Sequence, residues 1–556
     1  MMNRKILDQY LQQKFITQDQ YDVALKIASS SHHSIDNILL ACGFVTSKEI
    51  ANVKSLRLDT QFVDLKKFMP QEEALGLLPR QKAIELTILP IMVQNNKLVV
   101  AIDERSDFSQ QSYLEKLTGK EIQFVVASRQ EILHHLMTHQ YFKQTDEILE
   151  QIEELKSESL EDVDIVTLVE LLIEDAIEDN ASDIHISPEE DVVNVFFRID
   201  GVLQHYHSLP KSFHEKIVSR IKVLAKLDIA QTLIPQDGQL RHNYLYHDFR
   251  LRVSSVPTSY GENLVLRLLK NNFADMNLEN LGISTTNKAL LVKSIHQPNG
   301  LILVTGPTGS GKTTTLYSAL QEINSLSKNI LTVEDPIEYE IPFVKQTQVN
   351  NKMGYTFDNA LRAFMRQDPD VILVGEIRDK ETANLALSAS ITGHLVLSTL
   401  HTTDAVGAIE RLRDLGIANY LIGSGVIAIV AQRLVRKLCN KCKTKVQNPQ
   451  AMLQKYNVAP TLLSKFETVE IFEPKGCKNC SYSGYSSREI VMEILKVDKH
   501  LEVMITSQKS AIEILEYAHA RGMVGMLDDG YRKVLEGKTT FDEIHRVVLD
   551  REFLEE

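Results

Sequence analysis

The sequence has no apolar run long enough to cross a membrane. A transmembrane helix needs roughly 18–20 consecutive apolar residues, and the best candidates, GLILVTG and GSGVIAIVA, stop well short of that length. The first residues, MMNRKILDQYLQQKF, also lack the long apolar segment of a secretory signal. The sequence therefore predicts a cytoplasmic protein, and it shows no solenoid repeat or low-complexity tract.

Cysteine is scarce, with five residues in 556, and four of the five form two CxxC pairs. In a reducing compartment such pairs indicate a metal site in preference to disulfides. Cys439, Cys442, Cys477 and Cys480 are therefore predicted to form a closed, structural Zn²⁺ centre, with free thiols or redox pairs as the alternative. The isolated Cys42 is read as a small core residue.

Basic residues are fewer than acidic ones: the chain has 61 Lys and Arg and 74 Asp and Glu, which gives a net charge of −13. Residues 145–183 contain 15 acidic residues and one lysine, a local charge of −14, which leaves +1 for all other residues. The acidity thus belongs to one segment, which we interpret as a linker followed by one face of a helix. We expect it to act as a protease-sensitive hinge between about 145 and 165.

Helix-type and strand-type patterns predict several domains, as expected for this length. Four apolar strands, LILVTG, ILTVED, VILVGE and LVLSTL, alternate with helical segments. This alternation predicts a parallel sheet with functional residues at the carboxyl ends of its strands. The predicted order is an N-terminal α+β adaptor with a helical start (1–144), an acidic linker (145–162), an α/β domain (163–275), a parallel-sheet core (276–435), a tetracysteine region (436–495) and a helical C-terminal region (496–556).

The strand LILVT leads into GPTGSGKT, which matches the phosphate-loop pattern GxxxxGK[ST], and a helical pattern follows. In such a loop the backbone N–H groups converge on phosphate oxygens, and the helix N-terminus adds its dipole. Lys312 is expected to reach the β- and γ-phosphates, and the Thr313 hydroxyl to hold Mg²⁺. The sequence therefore predicts a nucleoside triphosphate site formed by Gly306, Pro307, Thr308, Gly309, Ser310, Gly311, Lys312, Thr313 and Thr314.

Carboxylates and histidines lie next to other strands of the predicted sheet. VILVGE ends in Glu376, where a carboxylate can orient or deprotonate an attacking water. ILTVED ends in an acidic cluster that includes Glu334 and could bind metal through water or polarise the nucleophile. His394 and His401 flank LVLSTL and are candidates for sensing the γ-phosphate. The alternative in each case is a solvated or structural side chain.

Four blocks together resemble the secretion ATPase family, the hexameric motors of type II secretion (ATPase E) and type IV pilus assembly (ATPase B). GPTGSGKTTTL, TVEDPIEY, RQDPDVILVGEIRD and TGHLVLSTLHTTDA look like the Walker A, Asp box, Walker B and His box of that family. SDIHI, FRIDGVL and PQDG resemble the preceding domain, so similarity covers about residues 160–556. The resemblance implies an α/β fold with a RecA-like P-loop core, a PAS-like domain before it and a zinc-binding insert.

The same resemblance implies roles for site residues. Glu376 would be the general base, Glu334 an Asp-box carboxylate, and His394 and His401 the His-box pair. ATP and Mg²⁺ would be bound between subunits of a homohexamer that docks on an inner-membrane platform protein.

Family members complete the site with arginines from the preceding domain, and the matching positions are Arg252 and Arg267. Such arginines also pair structurally with carboxylates, which remains the alternative. The family usually shows PQDGR, whereas this chain has Gln239 at the last position, with Arg241 two residues further on.

Related N-terminal domains bind cyclic di-GMP through paired RLGxxL motifs or dock on a membrane partner. The matching stretches, ILDQYL and SIDNILLACGF, have Ile6 or Ser34 in place of the arginine and Asp8 or Asp36 in place of the first glycine. A carboxylate beside a phosphate is unfavourable, so we expect no tight cyclic di-GMP binding.

Three functions remain open: an assembly motor, a nucleic-acid translocase or conjugation-type ATPase, and a nucleotide-gated scaffold with little hydrolysis. The absence of a basic stripe interleaved with aromatic residues disfavours nucleic acid as a partner. The presence of every candidate catalytic carboxylate disfavours the scaffold. The sequence does not decide between type II secretion and type IV pilus assembly.

Overall fold

The computed structural model describes residues 2–548 except 31–32, 69, 104–107, 138–164, 245–246, 270–275, 325, 467–468, 478–479 and 481. The chain divides into two compact units, Met1–Ala274 and Asp275–Glu556. The predicted acidic linker lies outside the described residues. Within the part of the chain that is described, no helix combines the length and apolar composition needed to cross a bilayer.

The first unit begins with a small helical bundle that has its own apolar core around Leu7, Tyr10 and Leu39. Its later helices have well-formed starts: the Ser34 hydroxyl accepts a hydrogen bond from the Asn37 N–H, and Thr46 caps the helix that follows it. The bundle helices are Met2–Gln12, Gln18–Ser30, Ile35–Ala41 and Ser47–Arg57.

A three-stranded sheet follows, with β2 in the centre, antiparallel to β1 and parallel to β3. Its strands are β1 (Ile88–Gln94), β2 (Lys97–Ile102) and β3 (Glu121–Val126), and β2 is almost entirely buried. The helices around it are Glu72–Leu75, Arg80–Leu86, Phe108–Thr118 and Arg129–Met137.

The remaining described part of the first unit is built on an antiparallel sheet of six strands in the order β6-β5-β4-β9-β8-β7. One face packs against the helices Ile165–Glu178 and His214–Ala225 around Val195, Ile217 and Leu266. The other, more polar face carries Arg252 and Arg267. The strands are β4 (Asp183–Pro188), β5 (Val192–Ile199), β6 (Val202–Pro210), β7 (Gln236–Tyr244), β8 (His247–Thr258) and β9 (Gly261–Leu269).

The second unit is built on a seven-stranded sheet in the order β12-β11-β13-β14-β10-β15-β18, parallel except for the last pair. The four predicted strands lie side by side in its centre, as a parallel α/β pattern requires. The strands are β10 (Gly300–Thr305), β11 (Ile330–Glu334), β12 (Lys345–Gln348), β13 (Val371–Val374), β14 (Leu395–Leu400), β15 (Val426–Leu438) and β18 (Tyr485–Lys496).

The sheet continues beyond residue 435, where the sequence placed the end of the core. β15 ends at Leu438 and pairs along its length with β18. The cysteine-bearing segment is therefore a long insertion that connects these two neighbouring strands. That insertion contains the two short antiparallel strands β16 (Thr444–Lys445) and β17 (Phe472–Glu473). The C-terminal helices share the apolar core of the sheet through Ile514, Val534 and Phe541, so they belong to the same unit.

The helices of the second unit precede, connect or follow the strands of this sheet. They are Thr285–Ile295, Lys312–Ile323, Phe357–Phe364, Lys380–Ile391, Ala405–Asp414, Asn419–Gly425, Pro449–Lys455, Pro460–Leu463, Lys499–Thr506, Ala511–Ala520, Met526–Leu535 and Phe541–Val548.

Candidate functional site

The predicted phosphate loop joins the buried strand β10 to the helix Lys312–Ile323. Its first residue, Gly306, has a φ of 150°, and a Cβ there would lie 2.5 Å from the Ser310 hydroxyl and 2.6 Å from the Gln432 carbonyl oxygen. No side chain fits in that space, so glycine is required by both conformation and packing. The loop therefore has the tight curvature that lets backbone N–H groups converge on an anion.

Lys312, the first residue of that helix, turns its side chain back over the loop. Its Nζ donates hydrogen bonds to the carbonyl oxygens of Gly306 at 2.8 Å and Pro307 at 3.1 Å. Burial lowers the pKa of Lys312, while the nearby Glu376 carboxylate opposes this shift. A partly desolvated cation at the mouth of the loop suits a phosphate ligand. Thr313, the predicted Mg²⁺ ligand, follows in the first helical turn with an exposed side chain.

Glu376 lies just beyond the carboxyl end of β13, as predicted, with 17% of its side chain exposed. It pairs with the Arg378 guanidinium, and its Oε2 lies 3.6 Å from Nε2 of His401. The Thr399 hydroxyl donates to the Gly375 carbonyl at 2.8 Å and so fixes the backbone before Glu376. Lys312, Glu376 and His401 therefore belong to one edge of the sheet.

The other predicted carboxylate, Glu334, is 4% exposed at the end of β11. It accepts hydrogen bonds from the Tyr317 hydroxyl, from Thr332 Oγ1 at 2.6 Å and from Gln346 Nε2 at 3.1 Å. Burial and then the Glu334 charge raise the pKa of Tyr317, so this phenol stays protonated and remains a donor. Glu334 thus anchors the helix that follows the phosphate loop through Tyr317.

The structure separates the two predicted histidines within the chain. His401 follows the carboxyl end of β14, beside Glu376, and 52% of its side chain is exposed. His394 precedes the amino end of the same strand, where its Nδ1 bonds to the Ala389 carbonyl oxygen at 2.9 Å. Because β14 runs parallel to β10, the His394 end lies at the sheet edge opposite the phosphate loop. Within a single chain, this position does not support the prediction that His394 senses the γ-phosphate.

The two predicted arginines lie in the first unit, facing each other on neighbouring strands. Arg252 of β8 is the cross-strand partner of Arg267 of β9 and of Gln239 of β7. Arg267 donates to Asp183 at 2.8 Å, yet 58% of its side chain remains exposed. Burial opposes ionisation of Asp183, but the Arg267 hydrogen bond lowers its pKa. Arg267 therefore has a structural partner and still presents donors on the polar face of the sheet.

The four predicted cysteine ligands form one cluster, with all Sγ atoms within 4.8 Å of one another. The pairs Cys439–Cys477 and Cys442–Cys480 are 3.9 and 3.8 Å apart, and tetrahedral Zn–S bonds of about 2.3 Å place sulfurs about 3.8 Å apart. The N–H of Gly484 points at Cys480 Sγ at 3.2 Å. None of these four cysteines forms a disulfide, so the donor set fits a closed structural Zn²⁺ site.

Sequence reasoning missed two residues that shape the site. The Tyr317 hydroxyl donates a hydrogen bond to Glu334. The fully buried Gln432 of β15 donates one to the phosphate loop. A polar residue in the middle of the apolar run VIAIVAQRLV was the available signal for Gln432. Arg378 appears in the block GEIRD, but its pairing with Glu376 depends on a turn that the sequence pattern does not specify.

Comparison with known proteins supplies the family. A family model described as Type II/IV secretion system protein matches residues 158–546, and a model of the MshEN domain matches residues 58–146. The chain is 45% identical over 390 residues to the Type II secretion system protein E of Pseudomonas aeruginosa, covering 70% of this chain and 76% of that protein. It is 35% identical over 563 residues to the type IV pilus assembly ATPase PilB of Myxococcus xanthus, covering 98% of both.

Among solved structures, the ATPase DotB of Yersinia pseudotuberculosis aligns with 69% of this chain and 93% of its own, with a TM-score of 0.52 at 21% identity. This likeness concerns the fold. Together with the parallel sheet and its phosphate loop, it confirms the predicted α/β fold with a RecA-like core.

Proposed function

This chain belongs to the Type II/IV secretion system protein family of ATPases, and from that premise we propose that it hydrolyses ATP to drive assembly of a type IV pilus. The observation that carries the catalytic part is the meeting of Lys312, Glu376 and His401 at the carboxyl edge of the parallel sheet. That edge is where open α/β sheets bind their ligands.

In this proposal the loop from Gly306 to Gly311 binds the phosphates through its N–H groups, and Lys312 neutralises their charge. Mg²⁺, held through the Thr313 hydroxyl, would neutralise further phosphate charge. Glu376 orients and deprotonates the attacking water, Arg378 holds the Glu376 carboxylate in place, and His401 lies beside it. Glu334 acts indirectly, by holding Tyr317 on the helix that starts at Lys312.

We also propose that the ATPase works as a homohexamer and that Arg252 and Arg267 contact ATP phosphates. Their position on the polar face of the six-stranded sheet, with Arg267 largely exposed, supports this role. Guanidinium groups stabilise the charge that develops on a transferring phosphoryl group. The tetracysteine cluster binds a structural Zn²⁺ and takes no part in hydrolysis.

The assignment to pilus assembly is supported by the share of this chain that aligns with each relative. The pilus ATPase from Myxococcus xanthus aligns with 98% of this chain, including the N-terminal adaptor, whereas the secretion protein from Pseudomonas aeruginosa aligns with 70%. The higher identity of the latter, 45% against 35%, supports type II secretion as the second candidate. In either machine we propose that the protein is cytoplasmic and binds an inner-membrane platform protein and an assembly partner. Through these partners it would associate peripherally with the inner membrane.

The N-terminal bundle is not expected to bind cyclic di-GMP tightly. Asp36, which replaces a motif glycine, is paired with Arg57 at 2.8 Å and accepts a hydrogen bond from Tyr10 at 2.7 Å. Asp8 likewise accepts from Tyr21 at 3.1 Å. A phosphate at either position would lie against a carboxylate that is already hydrogen-bonded within the bundle, which is unfavourable. Calorimetry on the full chain should show no binding at low micromolar concentration, and low-micromolar affinity would overturn this proposal.

The experiment that separates the functions is the steady-state ATPase rate of the purified full chain, with and without DNA. A motor of the proposed kind hydrolyses ATP at a rate that DNA does not change. Stimulation by DNA would favour a translocase, and a negligible rate under ring-forming conditions would favour a scaffold. Complementation of host strains that lack either the pilus ATPase or the secretion ATPase then distinguishes the two machines, and we expect rescue of pilus assembly.

A further inference from the structure

Gln432 is a polar residue buried in the apolar strand β15, with no exposed surface. Both ends of its side-chain amide are used. Oε1 accepts a hydrogen bond from the Thr315 hydroxyl at 2.8 Å, and Nε2 donates to the Ser310 carbonyl oxygen at 2.8 Å. One side chain therefore binds both the phosphate loop and the helix that follows it.

The contact with Ser310 reaches the part of the loop that would face a phosphate. The peptide that links Ser310 to Gly311 is planar, so holding its carbonyl oxygen also fixes the direction of the Gly311 N–H. The Gln432 backbone contributes as well, because its carbonyl oxygen occupies the space that a Cβ of Gly306 would need. Gln432 thus constrains the first and the last glycine of the loop.

The neighbouring residue extends this arrangement to the loop after β14. Arg433, almost fully buried, donates to the Gln432 carbonyl oxygen at 3.1 Å and to the Thr403 carbonyl oxygen at 2.7 Å. Thr402 in turn donates its N–H to the Thr305 hydroxyl at 2.9 Å, at the end of β10. β15 therefore contacts the phosphate loop and, through Arg433, the segment that carries His401.

We propose that Gln432 is a positioning residue of the nucleotide site, which holds the phosphate loop in the shape that binds the β-phosphate. This inference rests on the proposed function of the loop. Only a side chain with both a donor and an acceptor satisfies Ser310 and Thr315 together. A methionine has a similar volume without the hydrogen bonds, and a glutamate keeps the acceptor but places a negative oxygen against the Ser310 carbonyl.

The test measures the affinity of full-length protein for ADP with Mg²⁺ by calorimetry, and the kcat at saturating ATP. We expect Gln432→Met and Gln432→Glu to weaken ADP binding about tenfold or more, while kcat changes no more than about threefold. Thr315→Val, which removes one of the two hydrogen bonds, is expected to give a smaller loss in the same direction. Because it is a conservative change, it keeps the test decisive if the Gln432 variants fail to fold.

The control is Asn299→Met, which removes an amide that donates to the Ser390 carbonyl at 3.0 Å, beside the opposite end of β10. It should leave ADP affinity unchanged. ADP affinities of Gln432→Met and Thr315→Val within twofold of the wild type would overturn the proposal, as would an equal loss in Asn299→Met. If the wild-type chain itself fails to bind ADP, the proposed function fails instead, which is a separate result.

Discussion

Strand β15 passes two sites that differ in the kind of chemistry they allow. Near its middle, at Gln432, it borders the phosphate loop, where Lys312, Glu376 and His401 keep part of their polar surface open to solvent. At its end it reaches Cys439, the first member of a cluster whose sulfurs are mostly buried and face one another. A reaction site must leave room for a substrate, whereas a structural metal site fills its coordination shell with protein ligands.

This contrast predicts that the two sites fail in different ways. Loss of a group at the phosphate loop should remove nucleotide binding or hydrolysis and leave the fold intact. Loss of a thiolate should remove metal and stability and leave nucleotide binding largely unchanged.

The largest expected effect at the open site comes from Lys312→Ala. Removing a partly buried cation leaves the phosphates without a counter-charge, so ADP affinity should fall about a hundredfold or more. Calorimetry with ADP and Mg²⁺ measures this, and Lys352→Ala, an exposed lysine of the same unit, serves as the control. Equal affinities for Lys312→Ala and the wild type would place the nucleotide elsewhere.

At the closed site, Cys442→Ser should reduce the zinc content from about one ion per chain to near zero. Burial raises the pKa of Cys442 to about 12, so the Cys442 thiolate depends on a bound metal. We expect the melting temperature to fall by about 5–10 °C, while ADP affinity stays within about threefold. Cys42→Ser should keep its zinc. The predicted difference between the two sites would be contradicted if Cys442→Ser retained zinc, or if it lost ADP binding while still folded.

The smallest expected effect concerns His401 and pH. Burial, then Lys312, lowers the pKa of His401, and Glu376 opposes them. Below the unfolded value of about 6.5, the unfolded chain therefore binds more protons, and stability rises with pH through this window. His401→Gln should reduce the rise in melting temperature between about pH 5 and 6.5 by a degree or less. His296→Gln is the control, and parallel curves for wild type and His401→Gln would contradict the shift.

Much of this architecture follows from local sequence. The four central strands and the phosphate loop are marked by apolar runs, glycines and Lys312, and the structure places them as expected. The clustering of the four cysteines follows from the CxxC spacing, because few other arrangements explain two such pairs. These features depend on neighbouring residues in the chain, which a pattern can express.

What the sequence did not reveal depends on pairing between distant segments. β18 joins β15 across 46 intervening residues, and a short apolar run alone does not distinguish a strand from a buried helix. His394 and His401 flank one strand and therefore lie at opposite edges of the parallel sheet, which the flanking pattern alone does not express. Gln432 belongs to the nucleotide site only because β15 pairs with β10, and the sequence pattern does not specify that pairing.

The central claim is that ATP is hydrolysed at the carboxyl edge of this sheet with Glu376 as the base. Phosphate release at saturating ATP and Mg²⁺, compared between the wild type and Glu376→Gln, tests it most directly. We expect a rate loss of about 10²–10⁴-fold, with ADP affinity and zinc content unchanged. A Glu376→Gln variant that releases phosphate at the wild-type rate would contradict it.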